Sequence, residues 1–194
     1  MTLVQLVDPA AADPVAMPAL ESGRAQYGTV LNTWRALLHR PSIFAAYLPY
    51  LRAVVGPGVV DQRVKELASL AVTLANHCRY SASHRVRAAR NAGVTDEELD
   101  RLAGGRTAEL GAREALAIEY ARELTLRPPE LAAADVPAGV DEALLARVRE
   151  AFSEPEIVEL TATICLWNAL TRFHRVMGLP LDMPAPPPAI EAAL

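Results

Sequence analysis

An all-α, single-domain helical bundle is the fold class this sequence predicts, and three observations predict it. Ala, Leu, Arg and Glu dominate between Tyr27 and Met177, with apolar residues at helical rather than alternating spacing. Pro and Gly punctuation at Pro41, Gly56-Pro57-Gly58, Gly93, Gly104-Gly105 and Gly178 cuts that pattern into helix-length pieces. No stretch alternates aromatic and β-branched residues over a strand's length.

The elements follow in order. Residues 1–18 carry Pro9, Pro14 and Pro18 and few large side chains, and read as a flexible N-terminal segment. A first helix is expected over Tyr27–His39, ending before Pro41. A second runs over Ser42–Val55 with Ser42 as N-cap, and a third over Asp61–Asn76 capped by Asp61. A fourth covers His77–Ala92, with Gly93 just past its end. Thr95 followed by Glu98 is the capping-box pattern and opens a short helix that stops at Gly104. Further helices are expected over Thr107–Leu126, stopping before Pro128-Pro129, over Asp141–Ala151, and over Glu154–Met177 with Ser153 as N-cap, Pro155 at the start and Gly178 as stop. The tail from 183 to 194 is Pro-rich and expected to be extended. The helical domain is therefore assigned to residues 19–182. Short connections imply antiparallel neighbours. The runs ELASLAVTLA and IVELTATICLWNAL are apolar on most sides, which marks the third and last helices as the core.

Composition excludes several function classes. At 194 residues the chain fits one domain that can bury a core, and about half of it is apolar. Net charge is −4, Lys65 is the only lysine, and no basic stripe stands out, so no nucleic-acid partner is expected. No apolar run approaches the roughly 20 residues of a membrane span, and the N-terminus lacks a secretory pattern. Two cysteines, Cys78 and Cys165, do not make a disulfide framework. The expected setting is the cytoplasm, and the expected partner a small-molecule substrate. Glu66, His77, Cys78 and His84 match no tight metal-ligand spacing, so neither metal nor cofactor is expected.

Chemistry concentrates between Glu66 and Arg85. The Glu66 acid, the Cys78 thiol, the Tyr80 phenol, the Ser81 and Ser83 hydroxyls, the His77 and His84 imidazoles and the Arg85 guanidinium lie within twenty positions, on otherwise apolar helices. Titratable groups held against an apolar wall acquire shifted pKa values and mark candidate sites. With a helix beginning near His77, Cys78 falls in the first turn, where free amides and the helix dipole favour a thiolate. At ~100° per residue, Ser81 and Arg85 follow Cys78 on nearly one stripe, with His84 about a third of a turn aside. Glu66 lies about three turns back on the preceding antiparallel helix and is expected to face that stripe.

The residues E-L-A at 66–68, the Cys twelve positions after Glu66, Cys-x-Tyr, and R-A-A-R-N-A-G-V-T-D-E-E-L ending at Leu99 resemble the carboxymuconolactone decarboxylase and alkylhydroperoxidase D superfamily. N-T-W-R-A-L-L-H-R-P-S-I-F at 32–44 and the segment from Glu156 to Phe173 resemble it too. The resemblance covers about 28 to 182. It implies an alkylhydroperoxidase D-like bundle, a trimer or hexamer, and a site near subunit contacts. Peroxidase members of that family carry a second Cys three residues after the first and a His four beyond it. In their mechanism the second Cys attacks the peroxide and the first resolves it. This chain holds Ser81 and Arg85 at those positions. Ser81 cannot form a sulfenic acid or a disulfide, so the two-cysteine cycle is not expected. Decarboxylase members use a His at the later position, which is again Arg85 here.

Each candidate has a functional and a structural reading. Glu66 is a general base or proton relay, or the ion-pair partner of Arg63 or Arg85. Cys78 is a reactive thiolate or a small buried hydrophobe. Tyr80 and Ser81 donate to a substrate oxygen, or pack and cap. His84 and, behind it, His77 are acid–base candidates, since His titrates near neutrality. Arg85 suits a substrate carboxylate. Asn168, in an apolar helix, needs a partner or reaches the pocket, as do Arg172 and His174. Trp34 and Phe44 are core or pocket wall, and Cys165 is core. Two enzyme classes follow. One is a cofactor-free acid–base enzyme on a small organic acid, lactone or carbonyl compound. The other is a peroxidase-like protein using Cys78 with an external thiol. A non-catalytic ligand-binding relative is the third class.

Overall fold

The computed structural model describes residues 2–126 and 140–194, and every regular element among them is helical. The expected stop at Pro128-Pro129 lies outside the described residues. In chain order the helices are α1 (Met17–Tyr27), α2 (Asn32–Leu37), α3 (Pro41–Val55), α4 (Gln62–Ala75), α5 (Arg79–Asn91), α6 (Asp96–Ala103), α7 (Ala112–Leu126), α8 (Glu142–Ala151), α9 (Glu154–Met177) and α10 (Pro188–Ala192). No described helix is long and apolar enough to cross a membrane.

The helix expected over Tyr27–His39 is instead two. Gly28 adopts a left-handed conformation (φ 74°) and ends α1, and an extended Leu31 precedes α2. A Cβ at that φ would be strained, which is why the chain turns at glycine. The N-terminal segment forms short 3-10 turns at Pro9–Ala11 and Pro14–Ala16, each capped by the preceding Asp side chain. The Leu3 amide then donates to the Met177 carbonyl, tying this segment to the end of α9. The helix expected from Thr107 divides into a 3-10 turn (Thr107–Glu109) and α7, with the Gly111 amide donating to Glu114 before α7 starts. Capping boxes form at Thr95–Glu98 and Ser153–Glu156, satisfying the free amides that open α6 and α9.

The core is organised around α4, which packs on α7, α5 and α9. Every residue from Val64 to Thr73 is buried. Fully buried leucines such as Leu67 and Leu70 each contribute about 2 kcal/mol of transfer free energy. Polar groups in this run are satisfied locally: Ser69 and Thr73 donate to carbonyls one turn back, and Lys65 donates to Glu159 and to the Gly56 carbonyl. Cys165 departs from its expected place in the core: it is exposed on α9. Its neighbours Leu166 and Trp167 take the buried positions instead.

Candidate functional site

The site is built at the reversal between α4 and α5. The Cys78 amide donates to the Thr73 carbonyl, and His77 takes a left-handed conformation (φ 49°) to make the turn. Helix α5 therefore begins at Arg79, not His77. Cys78 is its N-cap residue rather than a first-turn residue, and its side chain makes no capping bond. Tyr80, Ser81, Ser83 and Arg85 point inward from α5, and Glu66 meets them from α4.

Two groups of contacts result. In the first, Arg85 donates to Glu66 Oε2 at 2.8 Å and Gln62 donates to Glu66 Oε1 at 2.9 Å. The Arg85 guanidinium lies 4.0 Å over the Trp167 ring, and its Nε is buried with no acceptor among the described residues. Arg63, the other expected partner of Glu66, instead joins Glu98 and Glu114. In the second, His84 Nε2 lies 2.7 Å from Asp182 Oδ1, and Tyr80 donates to Asp182 Oδ2 at 2.7 Å. Burial by itself raises the Asp182 carboxyl. Hydrogen bonds from His84, the Asn32 amide and Tyr80 outweigh it and hold the group below its ordinary value. Burial, with the Asp182 charge beside it, pushes the Tyr80 phenol up, so it stays protonated.

Behind Tyr80 the network continues inward. Thr33 donates to the Tyr80 oxygen from both its amide and its hydroxyl. His174 on α9 lies between Thr33 Oγ1 (Nε2, 3.0 Å) and Ser81 Oγ (Nδ1, 2.8 Å), and Ser81 Oγ lies 3.1 Å from Cys78 Sγ. Burial lowers the His174 pKa to about 3, helped by His84 and Arg85, so the ring is neutral.

Several of these residues line two neighbouring spaces. An open cleft of about 1300 Å³ is bordered by Glu66, His84, Arg85, Arg87, Arg52 and Met183. A separate recess of about 30 Å³ is walled by Thr33, Tyr47, Tyr80, Ser81, Trp167 and His174. His84 and Arg85 border both.

The structure thus brings Glu66, Cys78, Tyr80, Ser81, His84 and Arg85 together. Trp34 is fully buried, stacked edge-on against Tyr27 at 5.4 Å, and forms recess wall. Two expected site residues lie elsewhere. His77 points to the surface and meets the Leu194 carbonyl, because the turn reverses its side chain away from the bundle. Asn168 is used within the bundle, joining Asn76 to Thr125, and borders neither space. Among the described residues no three His, Cys, Asp or Glu side chains converge as a metal site. Asp182 and Thr33 went unread in the sequence, since one lies in the loop after α9 and the other is an ordinary helix residue. His174 carried a weak signal as an imidazole in an apolar helix.

The model of the "Carboxymuconolactone decarboxylase family" matches residues 41–123. The chain is 28% identical over 161 residues to the Escherichia coli protein YnjA, covering 81% of this chain and 82% of that one. A peroxidase-related protein from Ralstonia eutropha, described as an alkylhydroperoxidase AhpD core, superposes with a TM-score of 0.77 at 18% identity, covering 98% of this chain and 94% of that one. A peroxidase-related protein from Silicibacter sp. gives 0.75 at 18% identity, covering 92% and 91%. The debrominase Bmp8 in complex with 2,3,4-tribromopyrrole gives 0.72 at 16% identity, covering 100% and 96%. The family model thus spans α3 to most of α7, and the chain shares its all-helical architecture with these solved structures.

Proposed function

We propose that this protein is a cofactor-free acid–base enzyme acting on a small organic acid, lactone or carbonyl compound. The observation that carries this reading is the His84–Asp182 pair, 2.7 Å apart, with His84 bordering both cleft and recess. Asp182 accepts only, so His84 donates through Nε2 and keeps Nδ1 as the basic nitrogen. A base oriented by a carboxylate is the arrangement proton abstraction requires. Arg85 is the complementary group. Glu66 engages one of its terminal nitrogens, and its Nε edge, without a partner among the described residues, can hold a substrate carboxylate or enolate oxygen. Glu66 in this reading orients Arg85, since Gln62 and Arg85 occupy both of its oxygens.

A redox role for Cys78, prompted by the peroxidase-related fold neighbours, has less support. The thiol is 1% exposed, and Ser81 stands between it and the recess. The open cleft also fits a homo-oligomer in which a neighbouring subunit covers it; a stable monomer at micromolar concentration in light scattering would exclude that part.

The test is turnover of a panel of small lactones and 2-oxo and 3-oxo acids. His84→Ala lowers the rate by about 10²–10⁴-fold, while Cys78→Ser leaves it intact. The reverse pattern, activity lost with Cys78→Ser and kept with His84→Ala, overturns the proposal.

A further inference from the structure

The hydrogen bonds running from Cys78 to Asp182 have only one self-consistent direction. Asp182 Oδ2 accepts from the Asn32 backbone amide, a donor that cannot reverse, so Tyr80 must donate its proton to the same oxygen. The Tyr80 oxygen then accepts, and it does so from the Thr33 amide and the Thr33 hydroxyl. Having given its proton to Tyr80, Thr33 Oγ1 can only accept from His174 Nε2. A neutral imidazole carries one proton, so His174 Nδ1 is an acceptor and takes the Ser81 hydroxyl proton. Ser81 Oγ in turn accepts from the Cys78 thiol. The chain runs from α5 through α9 and α2 to the loop after α9.

We propose that His174, held by Thr33 in the Nε2–H tautomer, is a positioning residue for the His84–Asp182 pair. The proposal rests on the acid–base reading for the pair's role, though the chain itself does not. The fixed sense commits the Tyr80 proton to Oδ2 and leaves Oδ1 to His84 alone. That sets the plane of the carboxylate and, through it, the tilt of the His84 ring. The charged and titratable groups that act on this carboxylate are His84, Tyr80 and His174, and Arg85 acts on the His174 ring. At the far end the sense has a second consequence. Cys78 is the terminal donor, and its one hydrogen-bond partner among the described residues is the oxygen that accepts its proton. Nothing here stabilises a thiolate, and a proton passed along the chain could not be replaced at a thiol sealed from water. The chain orients rather than conducts.

Imidazole ¹⁵N spectra of the full chain test this, with His174→Gln identifying the ring's signals among the four histidines. The expected wild-type ring is protonated at Nε2, bare at Nδ1, and unchanged between about pH 5 and 8. Thr33→Val removes the acceptor for Nε2–H, so the ring moves to Nδ1–H and donates to Ser81; Thr33→Ser restores the wild-type pattern. Tyr80→Phe frees Thr33 to donate to Nε2 and moves the ring the same way, which keeps the test in hand if the valine variant does not fold. An Nδ1-protonated wild-type ring, a ring that titrates in that range, or the wild-type tautomer in both Thr33→Val and Tyr80→Phe overturns the proposal. Failure of the acid–base reading shows separately, as turnover unaffected by His84→Ala whatever the tautomer.

Discussion

Arg85 meets Glu66 Oε2 at 2.8 Å through one terminal nitrogen while its Nε, buried beside Trp167, has no acceptor among the described residues. Both side chains are at least nine-tenths buried, so neither charge is well solvated. Removing one partner leaves a buried unpaired charge, whereas removing both does not. Glu66→Met and Arg85→Met are each expected to lower stability by about 3–5 kcal/mol, and the double substitution to lie closer to wild type than either single one. Urea denaturation of the four proteins measures this. Additive losses would show that the pair is not coupled.

Asp182 sits outside the bundle's helices, yet its carboxylate accepts from His84, Tyr80 and the Asn32 amide. Asp182→Asn is expected to lower kcat by at least ten-fold, since an amide can present its NH₂ to His84 and change which ring nitrogen is basic. KM should change less than kcat if Arg85 holds the substrate independently. A kcat within two-fold of wild type, on any substrate that His84→Ala disables, would separate the two residues.

Buried His174 makes stability depend on pH. Its folded pKa of about 3 lies below the unfolded value near 6.5. Between those values the unfolded chain holds the extra proton, so stability is complete above about pH 6.5 and falls as pH drops toward 3. The slope contributed by one such proton is up to about 1.4 kcal/mol per pH unit. Depressed carboxylates such as Asp182 lose their contribution only at lower pH, nearer their own range. Denaturation midpoints from pH 7 to 4.5 should therefore decline in wild type and flatten in His174→Gln. An equally steep decline in that variant would remove His174 as the source.

The two cysteines should differ in access. Cys165 is exposed on α9, and Cys78 is 1% exposed under Ser81. A thiol reagent added to folded protein is expected to label Cys165 first, and Cys78 only on unfolding, even though partial burial raises the Cys165 thiol pKa. Mass mapping after brief treatment reads this directly. Prior labelling or oxidation of Cys78 would revive the redox reading.

The sequence by itself determined the helical class, most helix boundaries and half of the site. Helical apolar spacing, caps at Asp61, Thr95 and Ser153, and stops at Gly56, Gly93 and Gly178 are local chemistry, legible without a fold. The spacing from Glu66 to Arg85 was enough to expect one shared face, because antiparallel neighbours α4 and α5 are joined by a short turn. Tertiary structure decided the rest. It chose Arg85 over Arg63 as the partner of Glu66, turned His77 outward, and spent Asn168 on Asn76 and Thr125. Above all it carried Thr33, His174 and Asp182 to the α5 stripe from 47 to 102 positions away in sequence. No periodicity encodes such contacts. They form only when α2, α9 and the loop beyond it close around a shared set of buried polar groups that must find partners.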